Sequence, residues 1–161
     1  MTIPLLLTLS PSQAHFHDAQ NGTLIGTIEA GPQAITDQHF ASGALSPIAL
    51  ERAIEWTEDR IQAARLQVPA GARLVTHAPE IRHLAEIAGL QGSTLNLRVD
   101  AVEQLFSRLV LQAFGQASPQ DTLPYSPRVF ASVVMLREML HHLHFDGITI
   151  DAEVQAEGTS A

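Results

Sequence analysis

The stretch Leu5–Gly31, LLLTLSPSQAHFHDAQNGTLIGTIEAG, decides the fold class of this 161-residue chain. Residues 3–9 form an apolar run that is typical of a buried strand. Residues 13–18 and 23–29 flank Asn21-Gly22, a pair that strongly favours a β-hairpin. The stretch therefore predicts three consecutive strands, each antiparallel to the next.

Four helices are predicted beyond this stretch, each at a local start signal. Ser46 and Ser126 are suited to be N-caps, and a proline follows each of them at the first helical position. Pro79 opens another helix in the same way. Asp100 and Glu103 resemble a capping box and predict the start of the remaining helix.

The remaining segments complete the order of elements. Residues 129–136 (VFASVVML) are apolar on nearly all sides, which predicts a central, buried helix. Residues 72–76 and 147–150 are predicted as short strands, and residues 93–98 as either a strand or an extended link. Residues 31–45 read as a long polar loop.

Three antiparallel strands followed by helix–strand alternation give the order β-β-β-α-β-α-α-α-β, with a further strand if residues 93–98 form one. This order predicts an α/β, ribonuclease-H-like domain of the actin/Hsp70 type, with a mixed sheet and helices on its faces. We expect one domain over residues 1–151 and a disordered tail over residues 152–161.

Composition excludes several classes of function. The net charge is −8 and only nine residues are basic, which argues against nucleic-acid binding and disfavours an unaided grip on polyanions. The absence of cysteine excludes disulfides and thiolate chemistry. The N-terminus has neither a basic leader nor a span of about 18 apolar residues, so we expect no membrane association and a cytoplasmic location.

Three segments, in order, resemble one phosphatase family. They are GTIEAGPQAITDQHF (26–40), GARLVTHAPEIRHLAEIAG (71–89) and SPRVFASVVMLREMLHHLHFDGITI (126–150). Together they resemble the C-terminal half of the phosphatase domain in the exopolyphosphatase and guanosine-pentaphosphatase (Ppx/GppA) family. The resemblance runs from about Pro4 to Asp151.

The resemblance also shows where this chain departs from active relatives. Those proteins bind phosphate with one turn of the form Asp-Ile-Gly-Gly-Gly-Ser and another that contains Gly-Gly-Thr, because glycine lets backbone N–H groups surround an anion. Here the corresponding segments are residues 8–13 (TLSPSQ) and 76–80 (THAPE), which contain no glycine. Pro11 has no N–H to donate, and Glu80 adds a negative charge. After Gly31, where the family supplies an arginine, this chain has Gln33, Ala34 and Ile35.

The resemblance therefore implies a relative that has lost the phosphate chemistry. We assign no catalytic residue, and the candidate ligand-binding residues at the two altered turns are Ser10, Ser12, Gln13 and His77. The family's other half has no counterpart in these 161 residues. We expect a non-catalytic binding, scaffolding or regulatory domain that forms a homodimer or binds a protein partner through the face of the missing half. The alternative is a phosphate- or nucleotide-binding hydrolase that works with a first-half partner; Mg²⁺ is expected only in that case.

The histidines do not change this interpretation. His15 and His17 share one face of a predicted strand, but two imidazoles are fewer than the three or four ligands of a zinc site. His141, His142 and His144 lie at a helix C-terminus, where the helix dipole stabilises a cationic imidazole by about 0.3–1 kcal/mol. We assign no metal site.

Overall fold

The computed structural model describes residues 2–152 and forms one mixed sheet with five helices over that range. The predicted tail lies outside the described residues, except for Ala152. The strands are β1 (Pro4–Leu9), β2 (Ala14–Asp18), β3 (Leu24–Ile28), β4 (Arg73–Thr76), β5 (Thr94–Arg98) and β6 (Gly147–Asp151). The helices are α1 (Pro32–His39), α2 (Pro47–Ala64), α3 (Pro79–Ile87), α4 (Val99–Ala113) and α5 (Pro127–His142).

The six strands lie in the order β3-β2-β1-β4-β6-β5. The first three pair antiparallel, as the Asn-Gly hairpin predicts. Strand β1 pairs parallel with β4, and β4 pairs parallel with β6. Strand β5 closes the edge in an antiparallel pair with β6. The predicted mixed α/β sheet is confirmed.

Alternation along the strands separates a buried sheet face from a more open one. The buried face carries apolar side chains that are at most 3% exposed, among them Leu5, Leu7, Phe16, Ile148 and Ile150. The opposite face carries partly exposed side chains, among them Leu6, Thr8, His15, His17 and Thr149. The helices pack over the buried face and form the core with it.

Helix α5 lies at the centre of the helical layer. All residues in 129–136 are buried, as their apolar sequence predicts. The helix packs against α1, α2, α3 and α4. Near its start, Phe130 makes edge-to-face contacts with Phe40 and Tyr125, with ring centroids 6.0 and 5.4 Å apart. In residues 2–152 no helix is both long and apolar enough to cross a membrane.

Helix α1 forms within residues 31–45, so the prediction of a long loop there is wrong. Its apolar side chains, Ile35 and the following Phe40, are fully buried, and α1 packs on α5. Such tertiary burial stabilises a two-turn helix that its own sequence hardly signals. His39, at its end, lies edge-on to Trp56, and burial, together with the charge of Arg52, lowers the pKa of His39 below its ordinary value.

The structure decides one open alternative of the sequence prediction and corrects one helix start. Residues 94–98 form a full strand, because β6 offers them a partner along its whole length. Helix α4 begins at Val99 rather than at a capping box, and the cap position, Arg98, makes no side-chain cap bond. No residue separates β5 from α4. The backbone N–H of Val99, the first residue of α4, donates to the carbonyl of Asp146 at 2.9 Å.

The central position of α5 predicts an unequal response to the same truncation at two leucines. Leu136→Ala removes a fully buried side chain and should lower the free energy of unfolding by about 2–5 kcal/mol. Leu111→Ala, on the exposed side of α4 at 41% exposure, should cost about 0.5 kcal/mol or less. Urea denaturation followed by circular dichroism measures both, and similar losses would contradict the described packing.

Candidate functional site

Strands β1, β4 and β6 run parallel, so their carboxyl ends lie at the same edge of the sheet. Ligands of open α/β sheets bind at this edge. Residues 10–13 follow β1 and are called the first turn here; residues 77–80 follow β4 and are called the second turn. The topology thus brings all four residues proposed from the sequence to one edge, in two adjacent turns.

The first turn is closed by its own hydrogen bonds. The backbone N–H of Ser10 donates to the carbonyl of Gln13 at 2.9 Å, and the Ser10 hydroxyl donates to the same oxygen at 3.4 Å. The side-chain amide of Gln13 donates to both carboxylate oxygens of Glu29, at 2.9 and 3.0 Å. Of the predicted residues in this turn, Ser12 is exposed. The backbone N–H and hydroxyl of Ser10 and the side-chain amide of Gln13 therefore already donate within the protein.

The first turn also occupies the start of α1. The backbone N–H of Ala34 donates to the carbonyl of Pro11 at 3.0 Å. Free N–H groups at a helix N-terminus are the usual backbone site for a phosphate. Here a protein carbonyl takes one of those donors, and its partial negative charge lies where an anion would bind.

Gly31 makes this close approach possible. A Cβ at this position would lie 2.6 Å from the carbonyl oxygens of Ser10 and Pro11, and 2.8 Å from the backbone nitrogen of Gln13. The glycine is thus required for backbone-to-backbone packing between the turn and α1. In this chain the glycine allows the backbone of the first turn to approach the start of α1.

The second turn is held by side chains as well. The Thr76 hydroxyl donates to the carbonyl of Leu7 at 2.8 Å and accepts the backbone N–H of Ala78 at 3.1 Å. The His77 Nδ1 lies 3.1 Å from the carbonyl oxygen of Asp151, so Nδ1 carries the proton that makes this bond. His77 is exposed, and its ring is oriented toward β6.

Arg128 supplies a positive charge at this edge, although it was not among the candidate residues proposed from the sequence. It lies in the first turn of α5, and its guanidinium donates to the side-chain oxygen of Gln33 on α1 at 2.6 Å. It also lines an open cleft of about 250 Å³, together with Ser126, which caps α5, and with Glu80 and His83 of α3. Arg128 and Gln33 are 95 residues apart, so no local pattern could have indicated the contact.

Neither a protein-family model nor a curated protein sequence matches this chain. Solved structures do match. A PPX-GPPA enzyme from Aquifex aeolicus is 12% identical with a TM-score of 0.66, and the match covers 93% of this chain and 53% of that one. The chain has the fold of about half of a Ppx/GppA protein. An exopolyphosphatase-like protein is 14% identical with a TM-score of 0.65, covering 94% of this chain and 55% of that one. An exopolyphosphatase from Cytophaga hutchinsonii matches at 12% identity and a TM-score of 0.53, covering 94% and 53%.

These likenesses confirm the ribonuclease-H-like, actin-type fold and the resemblance drawn from three short segments. They are consistent with the C-terminal half to which those segments pointed. The chain spans little more than half the length of the matching structures. At these identities the likeness shows the fold, and any activity has to be argued from the turns themselves.

The histidines considered as metal ligands from the sequence lie in two different environments. The rings of His15 and His17 lie 6.5 Å apart, and His15 Nδ1 is 3.1 Å from the Thr27 hydroxyl. Within residues 2–152 no group of three potential metal ligands includes either of them. At the other end of the sheet His142 meets Glu58 and Glu138, a cluster that the sequence did not suggest.

Gly31 provides a test of the closed first turn. Gly31→Ala should lower the free energy of unfolding by about 1–3 kcal/mol, because its Cβ would collide with backbone that cannot move independently. Gly26→Ala is the matched control, since its Cβ would meet only the flexible tip of the Leu66 side chain. Urea unfolding midpoints compare the two variants, and a Gly31→Ala variant as stable as Gly26→Ala would refute the close packing.

Proposed function

We propose that this domain keeps the fold of a phosphohydrolase half but acts as a non-catalytic binding or regulatory domain, with a protein partner or a second copy of the chain as its ligand. The closed first turn is the observation that carries the proposal. Ser10 and the side-chain amide of Gln13 donate to groups of the protein itself, and the carbonyl of Pro11 accepts an N–H at the start of α1. A turn whose donors are bound in this way has few hydrogen-bond donors left for a phosphate.

The charged side chains near the two turns also support a non-catalytic function. Phosphoryl transfer depends on cations and positioned donors that stabilise developing negative charge. Glu29 lies beside the first turn, Glu80 is in the second, and Asp151 ends the neighbouring strand. These carboxylates repel a polyanion, and the chain as a whole carries a net charge of −8.

Magnesium, which phosphoryl transfer uses, is held in such enzymes by one or two carboxylates together with the substrate phosphates. Among the described residues, three carboxylate or imidazole ligands converge at Glu58, Glu138 and His142 and not at the two turns. The carboxylates near the turns therefore do not form a cluster that would hold Mg²⁺ without a bound phosphate.

One observation favours the alternative of an anion-binding hydrolase that works with a partner half. Arg128 brings a guanidinium to Gln33, close in sequence to the place where the resemblance expects an arginine. Helices α1, α3 and α5 each follow an element that ends at this edge, so their N-termini face the same region. Arg128 could then hold a phosphate that the first turn does not.

A ligand screen with one charge variant separates the two functions. Thermal unfolding is measured with phosphate, tripolyphosphate, ATP, GTP and guanosine tetraphosphate, with and without Mg²⁺, alongside phosphate release. We expect no stabilisation and no release above the buffer background. A ligand that binds only the native state would add about 2.7 kcal/mol at a hundred times its dissociation constant, which such a screen detects.

The same screen on Arg128→Ala and Arg98→Ala tests the alternative function, an anion-binding hydrolase. Arg98 is exposed at the end of β5, at the opposite edge of the sheet, and serves as the matched control. Stabilisation of the wild type that is lost in Arg128→Ala and kept in Arg98→Ala would establish an anion site and replace the non-catalytic proposal. Phosphate release by the wild type would overturn it directly.

A further inference from the structure

We infer that Glu58, Glu138 and His142 form a binding site for a divalent transition-metal ion, of which Zn²⁺ is the probe, between α2 and α5. One ligand atom from each residue lies within 4.8 Å of the other two. Glu138 and His142 are four residues apart on α5 and therefore share a face of that helix. Glu58 comes from α2, which packs against α5.

The distances suit a metal ion. His142 Nε2 lies 3.0 Å from Glu58 Oε1 and 3.5 Å from Glu138 Oε1. Zinc binds imidazole nitrogen and carboxylate oxygen at about 2.0–2.2 Å, which places the ligand atoms of a tetrahedral site about 3.3 Å apart. The two separations that involve His142 are thus close to those that coordination requires, and the Glu58 and Glu138 ligand atoms lie within 4.8 Å of each other.

The buried carboxylate of Glu138 is a second, independent observation that favours a bound cation at this cluster. Its side chain is 0% exposed. Its Oε2 accepts a hydrogen bond from Arg137 at 2.7 Å, whereas its Oε1 has no hydrogen-bond partner and faces His142. An unpaired carboxylate oxygen in the interior carries a desolvation cost that a bound cation would remove.

The local charge also favours a divalent cation. Arg137 bridges Glu138 and Glu103, at 2.7 and 3.0 Å. Three carboxylates, those of Glu58, Glu103 and Glu138, against one guanidinium leave a charge of −2 when the imidazole of His142 is neutral. Arg137 at the same time orients the Glu138 carboxylate so that its free oxygen points at the cluster, as outer-shell partners do in metal sites.

Solvent can complete the coordination. The side chains of His142 and Glu58 are 22% and 37% exposed, so water can reach the open side of the cluster. The cluster is also separate from the candidate site at the other end of α5. Arg128 and His142 are 14 residues apart, which at about 1.5 Å per residue places them about 21 Å apart along the helix.

Calorimetric titration of the full chain with ZnCl₂, after removal of metals with a chelator, tests the inference. We expect one Zn²⁺ per chain and a Zn²⁺-dependent rise in the unfolding temperature. Glu58→Gln and His142→Gln should each weaken binding by about tenfold or more, since even outer-shell changes cost 10–100-fold. Glu138→Gln is avoided as the main variant because it leaves Arg137 with a buried, neutral neighbour.

Glu55→Gln on α2 and His83→Gln on α3 are matched controls. Both side chains are exposed and lie outside the cluster, so Zn²⁺ affinity should be unchanged. Failure of the wild type to bind Zn²⁺ would overturn the inference and leave His142 as a hydrogen-bond partner of Glu58. Equal binding by the wild type, Glu58→Gln and His142→Gln would overturn it too, because the ion would then lie elsewhere.

Discussion

The packing of α5 against the other four helices is the interaction on which the rest of the structure depends. A helix that is buried over residues 129–136 can be stable only inside a layer of neighbours, and those neighbours owe their own positions to it. Helix α1 is the clearest case, since Ile35 and Phe40 are buried where α1 meets α5. Through this packing, α5 also carries Arg128 to the carboxyl edge of the sheet and His142 to the opposite end.

In the function that we propose, the phosphohydrolase fold persists without its anion site. In place of glycine-rich loops, backbone and side-chain groups bind one another: Ala34 binds Pro11, Gln13 binds Glu29, and Thr76 links β1 to the second turn. Each bond satisfies a polar group that would otherwise need a ligand or water. The bonds that stabilise the edge are the same ones that, under the proposed function, keep these donors from a phosphate.

Local signals in the sequence predicted much of this architecture. Ser46 and Pro47 mark the start of α2, and Ser46 indeed accepts the N–H of Ala49 at 3.1 Å, so a contact three residues away was enough. Helix α1 lacked such a signal, because its stability comes from distant partners. The contact between Arg128 and Gln33 spans 95 residues, and that between His142 and Glu58 spans 84, so both depend on the tertiary fold.

The central claim is that the two turns are closed to phosphate, and residue-resolved titration tests it most directly. Amide ¹H–¹⁵N spectra of the labelled chain would be recorded during addition of phosphate and then tripolyphosphate. Closed turns predict that the amide signals of Ser10, Ala34 and Ala78, which already donate within the protein, do not move. Saturable shifts confined to these amides would contradict the account and show that the two turns still bind phosphate.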